Sequence, residues 1–164
     1  MSMAAIRFSE GGLADLPAVM TVMDDSFEPR FGEAWTASQC AGLMSMPGVW
    51  LTLAGGEDGM VGFALARIAA DEAELLLLAV CRAAQRRSVG RTLLARFEAA
   101  ARARGAARVH LEVRDGNSAV ILYRNAGFEL VGRRPNYYEG PDGQNFDALT
   151  FAKSIGDTAG ISAF

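Results

Sequence analysis

The sequence predicts a single α/β domain with about seven strands and about four helices, and three observations support this fold class. Residues 75–81 form an uninterrupted apolar run, which is typical of a strand covered on both faces at the centre of a sheet. Residues 89–104 carry apolar side chains at helical spacing and are followed by Gly105, a favourable C-terminal residue. Residues 108–114 alternate between apolar and polar side chains, as strands with one buried face do.

Turn and capping residues divide the first part of the chain. The pair Gly11-Gly12 is expected to end a first strand. Asp15 and Pro17 are both tolerated in the first turn of a helix, and Thr36 is a favourable N-cap for the next one. The predicted bounds are strands over residues 5–8, 49–54 and 60–68, the last two joined as a hairpin, and helices over residues 13–27 and 36–44.

The second part of the chain continues with strands and helices in alternation. Asn117 is expected to cap a helix that ends at Gly127. The last two strands are joined by a turn-rich loop that contains Tyr137 and Tyr138. The predicted bounds are strands over residues 71–81, 108–114, 128–134 and 146–153, and helices over residues 88–104 and 117–127.

Length and charge bound the class of protein. The 164 residues favour one domain, which we place at residues 1–155, with the small and polar residues 156–164 as a frayed tail. The formal net charge of −3 argues mildly against nucleic acid as a partner, though not against a basic peptide. The N-terminus does not look like a signal peptide, and no apolar run is long enough to span a bilayer. We therefore expect a cytoplasmic protein without membrane contact.

The cysteine and histidine content argues against metal and triad chemistry. Cys40 and Cys81 could form a disulfide, but two buried thiols in a reducing cytoplasm is the preferred interpretation. His110 is the only histidine. A zinc site or a histidine-based triad is therefore not expected, and we predict no metal.

A basic turn follows the central strand and leads into a helix. Its residues are Gln85, Arg86, Arg87, Ser88, Val89, Gly90 and Arg91. A helix N-terminus presents unpaired N–H groups and the positive end of a dipole, which together bind phosphate. Gly90 has no side chain to block the approach, and three arginines add positive charge. We interpret this turn as a phosphate-binding site; the alternative is a solvated basic helix start.

A carboxylate and a phenol lie on either side of the next turn, Glu112 on the strand and Tyr123 on the helix. Brought together, they could accept one proton and supply another at the two ends of a reaction. Each has a structural alternative. Tyr123 shares a helical face with apolar residues and could be a core side chain, and Glu112 could pair with Arg108, His110 or Arg114.

The segment AELLLLAV followed by QRRSVGRTLL resembles the acyl-CoA-binding signature of the GNAT acetyltransferases. The continuation through LEVRDGNSAVILYRNAGF and RRPNYY resembles the RimI branch, the N-terminal alanine acetyltransferases of ribosomal proteins. The similarity extends from Ile6 to Lys153. Two positions depart from the family pattern: Ser88 replaces the first glycine of the signature, and Cys81-Arg82 stand where an Asp-Pro pair is common. A serine there must adopt the backbone conformation natural to glycine or find a regular one.

The resemblance implies the GNAT fold: a mixed, mostly antiparallel seven-stranded sheet, flanked by about four helices, whose fourth and fifth strands splay apart. The pantetheine arm of acetyl-CoA would enter between them. Glu112 matches the family's general base and Tyr123 its general acid. The residues implied to bind the cosubstrate are Leu78, Ala79, Val80, those of the turn at 85–91, Asn117 and Tyr123.

The resemblance also implies an acceptor groove bordered by Trp35, Tyr137 and Tyr138, with Glu112 beside the acceptor. The implied reaction moves an acetyl group from acetyl-CoA to a protein N-terminal α-amine. The N-terminal alanine of a small-subunit ribosomal protein is the first candidate, and a monomer or weak dimer is expected. The alternatives are a GNAT enzyme acting on a small-molecule amine or a lysine side chain, and a non-catalytic acyl-CoA-binding module. A nucleic-acid-binding module is a distant third.

The irregular segment at residues 24–35 leaves two questions open. Its aromatic residues either contact a ligand or fill the edge of the core, and these are Phe27, Phe31 and Trp35. Its acidic residues could attract a basic acceptor tail, but ordinary solvated charges are the slightly preferred interpretation for Asp24, Asp25, Glu28 and Glu33.

Overall fold

The computed structural model describes residues 5–85 and 87–156, and the described chain forms one seven-stranded sheet with helices on both faces. The strand order is β1-β2-β3-β4-β5-β7-β6, and only the β4–β5 pair is parallel. The strands are β1 Arg7–Gly11, β2 Val49–Gly56, β3 Gly59–Ala69, β4 Glu72–Val80, β5 Arg108–Arg114, β6 Glu129–Glu139 and β7 Asn145–Ser154. The helices are α1 Leu16–Ser26, α2 Ala37–Met44, α3 Val89–Ala103 and α4 Ala119–Asn125. The predicted fold class is confirmed.

Two apolar clusters cover the two faces of the sheet. One lies under α3 and α4 and is centred on Leu93, Phe97, Val109, Leu111 and Phe151. The other lies under α1 and α2 and is centred on Val19, Met23, Cys40, Phe63 and Leu65. Every one of these side chains is almost fully buried. The sheet therefore separates two cores, and β4 lies fourth of seven strands, at the centre, as its apolar run predicted.

A bulge interrupts β4 at Leu76. Leu75 pairs with Ala66 of β3 and Leu77 pairs with Leu65, so Leu76 is one extra residue in the strand. The bulge reverses the inside–outside alternation, because Leu75 packs into the α3-side cluster and Leu77 into the α1-side cluster. A regular strand would place both on the same face.

β4 and β5 separate at the bulge. Their last paired residues are Leu75 and Leu111, yet β4 continues to Val80 and β5 to Arg114. β5 instead pairs with β7 along its whole length, from Arg108 to Arg114. The predicted splaying of the fourth and fifth strands is thus confirmed, and it leaves an open gap in the middle of the sheet.

Several predicted bounds are corrected. β1 runs on to Gly11, because Gly11 pairs with Leu51 of β2. The first helix begins as a 3-10 turn at Leu13–Asp15 before α1 proper. β6 extends to Glu139, so Tyr137 and Tyr138 lie on a strand and not in a loop. These tyrosines follow an irregular stretch of β6, between Arg134 and Tyr138 in the pairing with β7.

Two glycines let the α1–α2 connection pack closely on the turn between β6 and β7. Gly32 has a left-handed backbone, with φ of 68°, and a Cβ there would overlap the carbonyl oxygen of Glu139. A Cβ at Gly140 would overlap the carbonyl oxygen of Arg30. The two segments therefore lie backbone against backbone, which braces residues 27–36 from outside.

The remaining predictions concern cysteines and membranes. Cys40 and Cys81 are free thiols, although Cys81 is only half-buried. Among the described residues, none of the helices is both long enough and apolar enough to cross a membrane. The predicted frayed tail, apart from residue 156, and residues 1–4 lie outside the described part of the chain.

Candidate active site

A cleft of about 370 Å³ opens where β4 and β5 separate. Its floor includes residues 75–78 of β4, and its walls come from β5, α4, β6 and the α1–α2 connection. The aromatic residues that line it are Phe27, Trp35, Tyr123, Tyr137 and Tyr138. The charged residues that line it are Glu33, Arg67, Glu74, Glu112 and Arg134. The cleft thus brings together both predicted catalytic residues and all of the predicted acceptor-groove residues.

Glu112 lies on β5 with one carboxylate oxygen paired and the other without a partner. Arg134 of β6 approaches Oε1, with its Nε at 2.8 Å. Oε2 is buried, and no donor of the described residues meets it with hydrogen-bond geometry, although the Tyr137 phenol is close enough to Glu112 for the two groups to interact. The partners considered from sequence pair elsewhere: Arg108 with Glu72, His110 with Glu74, and Arg114 with Glu33. A buried acceptor oxygen without a donor is uncommon and marks a place where a donor from outside would be stabilised.

Tyr123 is both a core residue and a cleft residue. Its ring is 6% exposed and packs edge-on against Phe128, with the centroids 6.0 Å apart. Burial, and next the negative charge of Glu33, raise the pKa of the Tyr123 phenol well above its usual value. The phenol therefore stays protonated throughout the physiological range and is available as a donor. The two interpretations that the sequence left open are compatible.

The turn before α3 leaves helix N–H groups free at its start. The N–H of Thr92 donates to the Ser88 carbonyl at 3.0 Å, so the N–H groups of Val89, Gly90 and Arg91 have no acceptor within the helix. Ser88 has a left-handed backbone, with φ of 64°, which glycine would adopt without strain. Its hydroxyl accepts a hydrogen bond from Arg91 Nη2 at 2.9 Å.

Gly90 faces α4 and the end of β4. A Cβ at Gly90 would lie 3.5 Å from Leu122 of α4 and 3.8 Å from Val80. A longer side chain would crowd Val80 and Leu122 at the start of α3. Of the other predicted phosphate-binding residues, Gln85 and Arg87 are exposed beside the helix start, and Arg86 lies outside the described residues.

The backbone of β4 offers polar groups to the gap at alternate residues. The N–H of Cys81 donates to Val61 of β3, so the N–H of Val80 points to the opposite side, toward the gap. By the same alternation Leu78 faces the gap, whereas Ala79 faces β3, where it pairs with Phe63. The Val80 carbonyl accepts hydrogen bonds from Ser26 Oγ and Gln85 Nε2, at 3.0 and 3.1 Å.

Asn117 makes a contact with the protein through each end of its amide. Its Oδ1 accepts from the N–H of Ala119, the first residue of α4, at 2.8 Å, although the N-cap position is Ser118 and not Asn117 as predicted. Its Nδ2 donates to Glu33 Oε2 at 2.9 Å. The side chain of Glu33 is only 9% exposed and also pairs with Arg114. The expectation of a solvated charge is therefore wrong for Glu33, because its partners come from a turn distant in sequence.

The aromatic residues of the α1–α2 connection have different environments. Phe27 and Trp35 line the cleft. Phe31 packs edge-on against Phe146 at 5.1 Å and lies under the Arg114 guanidinium at 3.6 Å. Tyr137 and Tyr138 complete the aromatic rim, with ring centroids 5.0 Å apart. Phe31 therefore supports the connection, and the other residues face a ligand space.

A polar group connects three strands at the floor of the cleft. Glu74 of β4 accepts a hydrogen bond from Arg67 of β3 at 3.0 Å and contacts His110 of β5 at 3.1 Å. The Glu74 contact raises the pKa of His110, against the lowering effect of burial, and the same contact lowers the pKa of Glu74. This side-chain group was not foreseen, because neither the bulge nor the parallel register is visible in the sequence.

Comparison with known proteins agrees with this geometry. The model of the acetyltransferase (GNAT) family matches residues 16–128. The chain belongs to the GNAT acetyltransferase family. Proteins of Escherichia coli and Haemophilus influenzae, both named [ribosomal protein bS18]-alanine N-acetyltransferase, are 40% and 36% identical to this GNAT chain over 97 and 93 residues. Those matches cover 58% and 57% of this chain, and 65% and 64% of the relatives. The chain thus spans just under two thirds of these curated relatives in sequence.

Solved structures resemble this GNAT chain over a larger share. The crystal structure of the E. coli ribosomal-protein-S18-alanine N-acetyltransferase superposes with a TM-score of 0.83, at 30% identity, over 93% of this chain and 96% of that one. Arabidopsis thaliana NAA60 in complex with acetyl-CoA gives a TM-score of 0.78 at 20% identity, over 92% and 99%. The second comparison supports the fold alone. The family resemblance stated from the sequence is confirmed.

The environment of His110 leads to a pH prediction. We expect its pKa to lie above 6.5, because Glu74 stabilises the imidazolium. Stability from this pair is then present below pH 6.5 and is lost as the pH rises through the folded-state pKa. Since the chain has one histidine, its imidazole proton signal in an NMR titration is unambiguous.

The matched variants for this titration are Glu74→Gln and Glu72→Gln. Glu74→Gln should lower the pKa of His110, because burial then acts without the direct partner. Glu72→Gln, which removes only a more distant charge, should lower it less. A His110 signal that titrates below 6.5 in the unaltered protein would show that the Glu74 contact is absent in solution.

Proposed function

We propose that this chain transfers the acetyl group of acetyl-CoA to the N-terminal α-amine of a protein. The observation that carries the proposal is the unpaired, buried Oε2 of Glu112, which shares a cleft with the protonated phenol of Tyr123. One group can receive a proton and the other can donate one, on opposite sides of a gap that admits an extended chain. The relatives named bS18-alanine N-acetyltransferases support the same reaction class.

The residues present fit acetyl-CoA. The α3 start provides free N–H groups and a helix dipole for the pyrophosphate, with Arg87 and Arg91 nearby. Gly90 of this start lies next to Val80 at the end of β4. There the backbone groups of Leu78 and Val80 face the gap, as an arm with amide groups would need. When bound, acetyl-CoA supplies an acetyl group activated as a thioester.

Glu112 is the proposed general base. An N-terminal amine has a pKa of about 7.7–8.0 and must lose a proton before it can attack a carbonyl. Glu112 Oε2 can accept that proton directly or through one water, because no donor of the described residues meets it with hydrogen-bond geometry. Arg134 holds the other oxygen and so fixes the carboxylate orientation. The negative charge of Glu112 also attracts the ammonium form of the acceptor into the cleft.

Backbone and phenol groups are proposed to stabilise the charges that develop on the two sides of the reacting carbonyl. A β4 N–H that faces the gap, near Val80, can donate to the carbonyl oxygen as it becomes negative. Tyr123 is the proposed acid for the thiolate that leaves. Because a thiol has a pKa of about 8.5 and that of Tyr123 is raised above 10.0, the phenol acts chiefly by donating a hydrogen bond to the sulfur.

The acceptor that we propose first is a protein beginning with alanine, specifically a small-subunit ribosomal protein. The aromatic rim of Trp35, Tyr137 and Tyr138 provides flat surfaces on which the first residues of a peptide can pack. The names of the relatives support the ribosomal acceptor. We expect the enzyme to act in the cytoplasm as a monomer or weak dimer, without a metal and without direct contact to nucleic acid.

The reaction is tested by mass spectrometry on an amine panel. The panel contains an alanine-starting peptide, the same peptide with a blocked N-terminus and a free lysine, and a small primary amine. We expect acetylation of the alanine α-amine only. Glu112→Gln should lower kcat by about 10²–10⁴-fold, since it removes the proton acceptor, and Tyr123→Phe should also lower kcat, since it removes the hydrogen bond to the leaving sulfur. Activity should show no loss from ionisation of Tyr123 up to pH 10.0, because its pKa is raised.

The control for these variants is Glu57→Gln, which removes an exposed carboxylate in the β2–β3 turn. It should leave kcat unchanged. If only the lysine peptide or only the small amine is acetylated, the acceptor is that kind of amine and the proposed N-terminal acceptor is wrong. Acetyl-CoA binding without turnover of any amine would support a non-catalytic binding module. Full activity of both cleft variants would exclude the proposed mechanism.

The cosubstrate path is tested at Gly90. Gly90→Val should weaken acetyl-CoA binding at least about tenfold, because the branched side chain would crowd Val80 and Leu122 at the start of α3, where the pyrophosphate is proposed to bind. Calorimetry measures this directly, independently of the acceptor. Ser88→Gly is the matched variant in the same turn, and it should keep the affinity within a few-fold since glycine accepts the left-handed backbone. Equal affinities for Gly90→Val and the unaltered protein would place the cosubstrate elsewhere.

A further inference from the structure

Glu33 is a buried carboxylate whose contacts the proposed mechanism does not use. Its side chain is 9% exposed. Oε1 accepts from Arg114 Nε at 3.1 Å, and Oε2 accepts from Asn117 Nδ2 at 2.9 Å. Arg114 is itself 11% exposed, so the pair is shielded from solvent on both sides. A charge at this depth is stable only with such partners, and the geometry of the group is therefore well defined.

Residues 27–36, here called the acceptor loop, present Glu33 from a braced segment. Gly32 and Gly140 allow the loop to pack backbone against backbone on the β6–β7 turn. Phe31, two residues before Glu33, fits between Phe146 and the Arg114 guanidinium. Trp35, two residues after Glu33, lines the cleft where the acceptor would bind. Glu33 thus lies between the anchor of the loop and its ligand-facing end.

The other end of the contact lies at the start of α4. Asn117 donates to Glu33 with its Nδ2 and accepts from the N–H of Ala119 with its Oδ1. Ala119 is the first residue of α4, and Tyr123 lies four residues later on the same face of the helix. Because the oxygen and the nitrogen of one planar amide make these two contacts, the Asn117 side chain connects the helix start to the loop.

We propose that Glu33 is a positioning residue that joins the acceptor loop to the start of α4, so that the orientation of Tyr123 depends on the seating of the loop. This inference rests on the proposed function and adds a residue to it. Burial first, and next the nearby charge of Glu33, raise the pKa of both Tyr123 and Tyr138, so both phenols stay protonated. Loosening the loop should then impair the chemical step as well as acceptor binding.

The kinetic test uses Glu33→Gln, Glu33→Asp and the control Glu28→Gln. Glu33→Gln removes the charge, and Glu33→Asp keeps the charge for Arg114 but is too short to hold Asn117 as well. We expect kcat to fall by about 10–10²-fold in both, more in Glu33→Gln, because a small misplacement of a reacting group has an effect of this size. Glu28 lies in the same loop and is exposed, and its carboxylate pairs with the exposed Arg30, so Glu28→Gln should leave kcat unchanged.

A double-variant cycle separates positioning from general weakening of the fold. If Glu33 acts through Tyr123, Glu33→Asp should lower kcat much less in a Tyr123→Phe background than in the unaltered protein. Equal loss in both backgrounds would overturn the proposal. A higher KM for the acceptor with an unchanged kcat would overturn it as well, because Glu33 would then only hold the loop for acceptor binding.

A fluorescence readout works even if no acceptor is acetylated. The chain has two tryptophans: Trp50 is 6% exposed, and Trp35 is half-buried in the acceptor loop. Acrylamide quenching therefore reports mainly on Trp35. Quenching should increase in Glu33→Gln and Glu33→Asp and stay unchanged in Glu28→Gln. Unchanged quenching in all variants would overturn the proposed role of Glu33 in the loop. If quenching increases but the protein acetylates no acceptor, only the proposed function is wrong.

Discussion

The structure depends on the separation of β4 from β5 after the Leu75–Leu111 pair. Two constraints produce it. The bulge at Leu76 turns β4 away, and β7 holds β5 by a full ladder on its other side. The separation exposes backbone groups that a closed sheet would satisfy, and it opens the cleft at the centre of the molecule. Every residue assigned a role lies in this gap or supports an element that borders it.

Three carboxylates surround the cleft, and their environments distinguish their roles. Glu33 is paired through both oxygens, with Arg114 and Asn117. Glu74 is likewise paired through both, with Arg67 and His110. Glu112 alone among them keeps a buried oxygen without a hydrogen-bond partner within the described chain. Fully paired carboxylates organise a site, and the one with a free oxygen is suited to exchange a proton.

The sequence was most informative where local patterns decide the structure. Strict alternation predicted the observed bounds of β5, and Thr36 caps α2 as predicted. Contacts across the sheet could not be predicted, since β7 lies between β5 and β6 and its place is not encoded locally. Arg134 therefore reaches Glu112 from a strand that is not its neighbour. Glu33 resembled a solvated acid because its partners lie more than eighty residues later.

The most direct test is a crystal structure of the chain with a bisubstrate analogue, coenzyme A joined through an acetyl bridge to an alanine-starting peptide. The account predicts that the arm lies between β4 and β5 and the pyrophosphate lies at the start of α3. The alanine nitrogen should lie within about 2.6–3.2 Å of Glu112 Oε2, or one water away. An analogue bound outside the gap, or a nitrogen directed away from Glu112, would contradict the account.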